Sequence, residues 1–455
     1  MKSMNIMAAS SQLGAGFSEE SFKKGLEWGP DLIGCDSGST DSGAYYLGSG
    51  KSHFPYDAIK RDLRLILLGA KRNRIPAIIG SAGTGGAKEH LNRIVSIAKE
   101  IAREENLHFR LGKINSDIDK AYLKERMGAD EVAPLPNAPE LNTKLIDECT
   151  NIVGLAGAEP YIDCLENGCD LIIAGRSSDT SIFASLPLKS GLPPAPVWHA
   201  AKILECGAAC VAQRQYPDCM FATIDEKGFS LEPPNPEYRC TPISVASHML
   251  YENPSAFRLV EPSGVLDTGK ATYEAINSRA VRVEGSNFIP ASKYSIKLEG
   301  ARLAGYHSII VGGVRDPIIL KQLDSWLDGM EQRVRKRFAS VYGPEIEDRY
   351  RLVFRVYGKN GVMGEMEPEE TTGHEVGVVI EFVADDEELV RTLAAMAAHI
   401  CVHFPVPEWS GLISGLAYPH SPAATFKGPI YEFVLNHVVY PSSHNDIFST
   451  EFFNI

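Results

Sequence analysis

The sequence has no apolar run long enough to span a bilayer and no excess of positive charge. Its 455 residues carry 45 Lys and Arg against 58 Asp and Glu, a formal net charge of −13. A chain this acidic, with no basic stripe, is not built to bind nucleic acid or an anionic membrane surface. Met1-Lys2-Ser3-Met4 leads directly into a strand pattern rather than a signal peptide, so a cytoplasmic location is expected. The nine cysteines are scattered and odd in number, which fits reduced thiols better than a disulfide framework.

Several signatures are present only in part. Gly48-Ser49-Gly50-Lys51-Ser52 ends like a P-loop, but the glycine required five residues before Gly50 is replaced by Tyr45. Pro55 stands where the phosphate-binding helix should open. Gly14-Ala15-Gly16 follows a strand pattern, yet Glu19 occupies the third glycine position of the dinucleotide fingerprint. No G-x-S-x-G elbow occurs. Cys206 and Cys210 lie four apart and Cys164 and Cys169 five apart, spacings that do not make a closed zinc site. No metal, nucleotide or other cofactor is therefore expected.

What the chain does have is strands that run into loops of small polar residues. Asp31-Leu32-Ile33-Gly34 enters Cys35-Asp36-Ser37-Gly38-Ser39-Thr40-Asp41-Ser42-Gly43. Ile75-Pro76-Ala77-Ile78-Ile79 enters Gly80-Ser81-Ala82-Gly83-Thr84-Gly85-Gly86, and Asp170-Leu171-Ile172-Ile173-Ala174 enters Gly175-Arg176-Ser177-Ser178-Asp179-Thr180. In open parallel sheets, ligands bind beyond the carboxyl ends of strands, where such loops gather. The amides and the hydroxyls of Ser37, Ser39, Thr40, Ser81, Thr84 and Thr180 suit a polar ligand. Asp36, Asp41 and Asp179 suit proton transfer, and the planar fork of Arg176 suits a carboxylate. The structural alternative is that Asp179 or Thr180 caps the next helix and that Ser81 and Thr84 only shape turns.

A second cluster joins Lys202, Glu205 and Cys206 to Ser244, His248, Tyr251 and Glu252. Most of the last four share one side if the segment is helical, so His248 with an acid and a tyrosine offers acid–base equipment. A polar helix face facing solvent is the competing reading.

Helical periodicity over 18–28, 57–71, 88–105 and 117–127, set between short apolar runs, predicts a parallel sheet covered on both faces. Pro187 to Pro196 reads as a break, followed by a helix over 198–210. Glu232-Pro233-Pro234-Asn235-Pro236 reads as a boundary, because its proline density excludes regular structure. The expected architecture is an α/β parallel-sheet domain over 1–230 and an α+β domain over 231–455.

Six stretches carry a resemblance: DSGSTDSGAYYLGSG (36–50), IGSAGTGG (79–86), GRSSDTSIFASLP (175–187), HAAKILECG (199–207), CTPISVASHMLYE (240–252) and RAVRVEG (279–285). Together they resemble the acyclic terpene utilisation protein A family over most of residues 4–313. That resemblance implies a place in the catabolism of branched acyclic acids, where unsaturated carboxylates and CoA thioesters are intermediates. Where the family loop reads Arg-Ala-Cys-Asp-Thr-Ala, this chain has Ser178 in place of the cysteine, which removes any role for a thiol there. Some relatives carry an additional small C-terminal domain, which implies a small companion subunit here.

The combined expectation is a homo-oligomeric lyase, hydratase or isomerase acting on a small branched or unsaturated carboxylate or its CoA thioester. Asp36, Asp41, Asp179 and His248 are the candidate catalytic residues. A non-catalytic ligand-binding or scaffold subunit and a nucleotide-dependent acid ligase are the alternatives.

Overall fold

Short, fully apolar strands demand cover on both faces, and amphipathic helices supply it through the first half of the chain. The computed structural model describes residues 2–408 and 415–455. It divides into two units, Met1–Arg302 with Glu432–Ile455 and Leu303–Tyr431.

The first unit is organised by a ten-stranded sheet. Its centre is parallel, in the order Ser3–Ala8, Leu32–Cys35, Ala77–Ile79, Leu171–Ala174, Arg110–Asn115. Alternate side chains point to opposite faces, as the two-residue strand period requires. Ile6, Leu32, Ile78 and Ile172 meet Tyr161, Phe183 and Trp198 on one face. Met7, Ile33, Ile79 and Ile173 meet Phe22, Leu63, Leu91 and Ile94 on the other. The helices Glu19–Glu27, Tyr56–Asn73 and Lys88–Glu104 cover this second face. Ser18 caps the first of them by accepting from the Ser21 amide.

The sheet is mixed rather than wholly parallel. Met220–Asp225 runs antiparallel to Ser3–Ala8, and Gly228–Glu232, Val281–Glu284 and Thr272–Ala275 continue outward in antiparallel pairs. At the opposite edge Ser449–Asn454 pairs antiparallel with Arg110–Asn115. The boundary expected near residue 230 therefore falls inside this unit. The proline cluster only leads the chain from the strand Gly228–Glu232 to the helix Pro242–Ser247, and both lie in the first unit.

Two smaller pairings matter for the site. Leu298 to Arg302, within the strand Ile296–Val314, runs antiparallel to Cys149–Gly154, with Glu299 opposite Val153. A three-stranded sheet of Arg258–Glu261, Gly264–Asp267 and Asn287–Pro290 carries Glu261 at a strand end. The expected break at Pro187 is displaced: the helix Asp179–Lys189 runs through that proline, and the next helix, Pro194–Leu204, begins with one. Proline in a last turn removes only one helical hydrogen bond, and at the first turn it removes none.

In the second unit Tyr350–Tyr357, Val376–Ala384 and residues 306–314 form antiparallel ladders. Val376–Ala384 buries every second residue, as a strand with one wet face should. Trp326 and Phe338 of the helix Leu323–Tyr342 pack with Phe382 in its core, together with Leu393 of the helix Glu387–Val402. His399 and His403 lie four apart at the end of the latter helix with ring centroids 5.3 Å apart. Among the described residues no third metal-ligating side chain joins them.

Candidate functional site

Three adjacent parallel strands, Leu32–Cys35, Ala77–Ile79 and Leu171–Ala174, send their following loops to one edge. Main-chain bonds then lock the loops together. The Thr84 amide donates to the Ser37 carbonyl at 3.0 Å, the Ala82 amide to Ala174 at 2.9 Å, and the Arg176 amide to Gly86 at 3.1 Å. Two glycines permit this approach. A Cβ at Gly38 would stand 2.3 Å from the Ser81 Cβ, and one at Gly86 would stand 2.2 Å from the Arg176 nitrogen.

Arg176 sits at the centre of the loop cluster, but its partners are protein groups. Its Nε donates to Glu299 Oε2 at 3.0 Å and an Nη donates to Ser81 Oγ at 3.1 Å, while Asp179 Oδ1 lies 3.6 Å away. Arg176 and Glu299 are both buried. Burial pushes the Glu299 carboxyl up, but Arg176 and Lys297 outweigh it and hold it below its ordinary value. The expected grip of Arg176 on a ligand carboxylate is thus replaced by a grip on Glu299.

Other expected ligand contacts also turn inward. Ser37 Oγ accepts from the Gly83 amide at 3.2 Å, and Thr84 Oγ1 accepts from the His53 amide at 3.1 Å. Ser81 Oγ accepts from the Ser177 amide as well as from Arg176. Thr180 Oγ1 donates to Glu261, and Ser178 Oγ donates to the same carboxylate at 2.7 Å. The helix Asp179–Lys189 has Ser178 at its N-cap, with no side-chain cap bond. Thr40 is exposed.

Beside the first and third loops lies a cavity of about 280 Å³. Asp36, Ser39, Asp41 and Asp179 line it, with Glu205, Cys206, Arg214, Tyr251 and Glu252 from later in the chain. Asp36 is almost fully buried; its Oδ2 accepts from the Gly38 amide at 3.0 Å and its Oδ1 has no partner. Burial, reinforced by the Asp179 charge and opposed by Arg176, raises Asp36 well above the ordinary carboxylate range. Asp179 is only partly buried; burial raises it too, against Arg176 and Lys202. Burial and the neighbouring Asp41 raise Glu252. Burial lifts Glu205 to about 8, although Lys202 Nζ donates to it.

The segment holding His248 is not one continuous helix. Thr241 and Ser244 cap the helix Pro242–Ser247 reciprocally, a 3₁₀ turn His248–Leu250 follows, and Glu252 has φ +49°. Ser244 is therefore a capping residue. The His248 ring is buried and stacks on Tyr251, with centroids 5.6 Å apart and planes 13° apart. Burial, with Lys202 and Arg214 nearby, lowers its pKa to about 3. It stands as a neutral imidazole beside Glu205 and Cys206.

The failed nucleotide signatures have structural explanations. Gly14 and Gly16 amides both donate to Asp62 Oδ2, at 2.9 and 3.0 Å, so that turn offers no free amides to a pyrophosphate. Gly50 terminates the helix Tyr45–Ser49 in a left-handed conformation. A phosphate loop needs a helix N-terminus at that point, where this chain has a C-terminus.

A family model described as acyclic terpene utilisation family protein AtuA matches residues 52–190. That segment, a little under a third of the chain, is similar to the AtuA family. It contains the second and third loops, IGSAGTGG and GRSSDTSIFASLP, which carried part of the resemblance; the Asp36 loop precedes it and the Glu205 and His248 segments follow it. No curated protein and no solved structure matches the chain. Among the described residues no helix is long and apolar enough to cross a membrane.

Proposed function

We propose that the acidic cavity is the active site of a lyase, of the hydratase or isomerase kind, that moves a proton on a small branched or unsaturated carboxylate or its CoA thioester. The observation that carries this reading is the pair Asp36 and Asp179, two carboxyls on converging loops whose environments differ. Burial raises both, but Asp36 is enclosed and lifted well above the ordinary carboxylate range, whereas Asp179 is partly open and Arg176 and Lys202 oppose its rise. Pairs of titratable groups pushed apart by their surroundings are how one site supplies both an acid and a base. Asp179 takes the proton from the carbon beside the carbonyl, and Asp36 gives its proton to the far end of the rearranging system.

Arg214 replaces Arg176 as the contact for an anionic group, since it lines the cavity and is exposed. The family description, acyclic terpene utilisation, supports a substrate of branched acyclic carbon skeleton. Five carboxylates around one small cavity disfavour a free dicarboxylate there, so a thioester or the neutral end of a monocarboxylate is the part that enters.

Incubation with branched α,β-unsaturated acyl-CoA thioesters in D₂O tests the reading. Deuterium should enter the carbon next to the carbonyl or the γ-carbon, and Asp179→Asn should abolish that exchange while the protein stays folded. Exchange absent from wild type across free acids and thioesters, or undiminished in Asp179→Asn, would overturn it.

A further inference from the structure

Glu205, Cys206 and His248 present a carboxylate oxygen, a sulfur and an imidazole nitrogen that all lie within 4.8 Å of one another. Glu205 and Cys206 occupy the turn after the helix Pro194–Leu204, and His248 opens a separate 3₁₀ turn. The three are brought together by the fold rather than by one local motif. His248 is 6% exposed, and its Nε2 is buried without a hydrogen-bond partner. A buried imidazole nitrogen left unpaired costs stability unless something occupies it. No other member of the cluster donates to it or accepts from it.

We propose that Glu205, Cys206 and His248 bind a divalent transition metal of the Zn²⁺ type at the wall of the acidic cavity. One oxygen, one sulfur and one nitrogen form a borderline ligand set, which suits Zn²⁺ and Co²⁺ and not the oxygen-seeking Mg²⁺ or Ca²⁺. Three protein ligands with a fourth position open are the arrangement of metal sites that take a substrate or water. The open side here is the cavity, because Glu205 and Cys206 line it.

The surrounding groups fix the ligands in place. Lys202 Nζ donates to Glu205 and, at 3.0 Å, to the Tyr251 carbonyl, tying the two halves of the site together. Stacking on Tyr251 sets the plane of the His248 ring. The Lys202 ammonium opposes a second cation nearby, and Asp179 on the cavity wall offsets it. The site does not depend on the lyase reading, although it would supply a Lewis acid to it.

Metal analysis on the tag-free full chain, loaded with Zn²⁺ and dialysed, tests the proposal apart from any turnover. One zinc per chain is expected. X-ray absorption of that protein should show one sulfur neighbour at about 2.3 Å with nitrogen and oxygen neighbours. Co²⁺ loading should give a thiolate charge-transfer band that Cys206→Ser removes and Cys401→Ser, in the second unit, retains. His248→Gln should weaken binding by more than about 100-fold, beyond the loss from an outer-shell partner. Zinc without a sulfur neighbour, or binding unchanged in both Cys206→Ser and His248→Gln, would overturn the assignment, as would wild-type protein that retains no zinc. Proton exchange lost while zinc is retained would sink only the lyase reading.

Discussion

Replacing Arg176 probes what holds the three loops together. The guanidinium donates to Glu299 at 3.0 Å and to Ser81 at 3.1 Å, and all three side chains are buried. Arg176→Met leaves the Glu299 charge enclosed, and breaking a buried pair from one side costs about 3–5 kcal/mol. Lys297 remains 3.4 Å from Glu299 on a more open side, which places the expectation at the lower end, near ~3 kcal/mol. Arg176→Lys keeps the charge but loses the fork, so one of the two bonds goes; a hydrogen bond to a charged group is worth about 1.5–3 kcal/mol. Urea denaturation followed by circular dichroism reads both variants. With a slope of about 1–3 kcal/mol per molar, a loss of ~2 kcal/mol moves the midpoint by on the order of 1 M. Adding Glu299→Gln to Arg176→Met removes the stranded charge and should restore at least ~1 kcal/mol, a coupling visible in a double-mutant cycle. Arg176→Lys unfolding at the wild-type midpoint, with weakened ligand binding, would refute this account and return Arg176 to the role of a substrate grip.

Gly38→Ala should destabilise the first unit by at least ~1–3 kcal/mol in thermal or urea melts, because its Cβ would stand 2.3 Å from that of Ser81. Burial lifts Glu261 to about 7 from 4.5, so between those values the folded state holds more protons than the unfolded. Its contribution, roughly 3 kcal/mol, is complete below pH about 4.5 and lost as pH rises through about 7; Glu261→Gln should flatten that part of a stability–pH profile, and an unaltered profile would contradict the assignment. Asp36→Asn mimics the protonated acid that burial favours, so it should hold stability within about 1 kcal/mol of wild type while removing proton exchange; a large loss of stability with exchange intact would make Asp36 structural.

The centre of the fold was readable because it obeys local rules. Apolar runs such as Leu171–Ala174 are buried on both faces, the stripe Leu91, Ile94, Val95, Ala98, Ile101 and Ala102 covers one of those faces, and each says so in its spacing. The antiparallel flank was not readable, since Ser449–Asn454 joins Arg110–Asn115 across more than three hundred residues and no turn links them. Loop residues were found, but their partners were not. Glu299 lies 123 positions from Arg176, and Glu261 lies 81 from Thr180. A sequence shows that Arg176 can hold a carboxylate and is silent on whose. Lys202, Glu205, Cys206 and His248 stood out as a polar cluster. Their convergence depended on a helix ending at Leu204 and on the 3₁₀ turn at His248, both departures from continuous helix. Arg214 carried no signal, being a single cation in an irregular stretch.

The distribution of charge around the cavity argues for use rather than for stability. Asp36, Asp41, Asp179, Glu205 and Glu252 face it, while Arg176 is matched by Glu299; among the described residues Arg214 is the one cation lining the cavity, with Lys202 behind it bonded to Glu205. Enclosed carboxyls oppose folding, whether they stay charged or are pushed to take up a proton, and a neutral polar lining of the same size would be less costly. Asp36 and Asp179 stand on loops that follow two of three adjacent parallel strands and are interlocked by main-chain bonds, with glycines at 38 and 86 that leave no room for a Cβ. A scaffold that gathers unfavourable carboxyls in this way keeps protons where they are easily given up, or keeps a place for a cation that the carboxyls would stabilise. Both uses need the acids close together and the positive groups behind them, and in the first unit Arg176 and Lys202 are the residues that stand there.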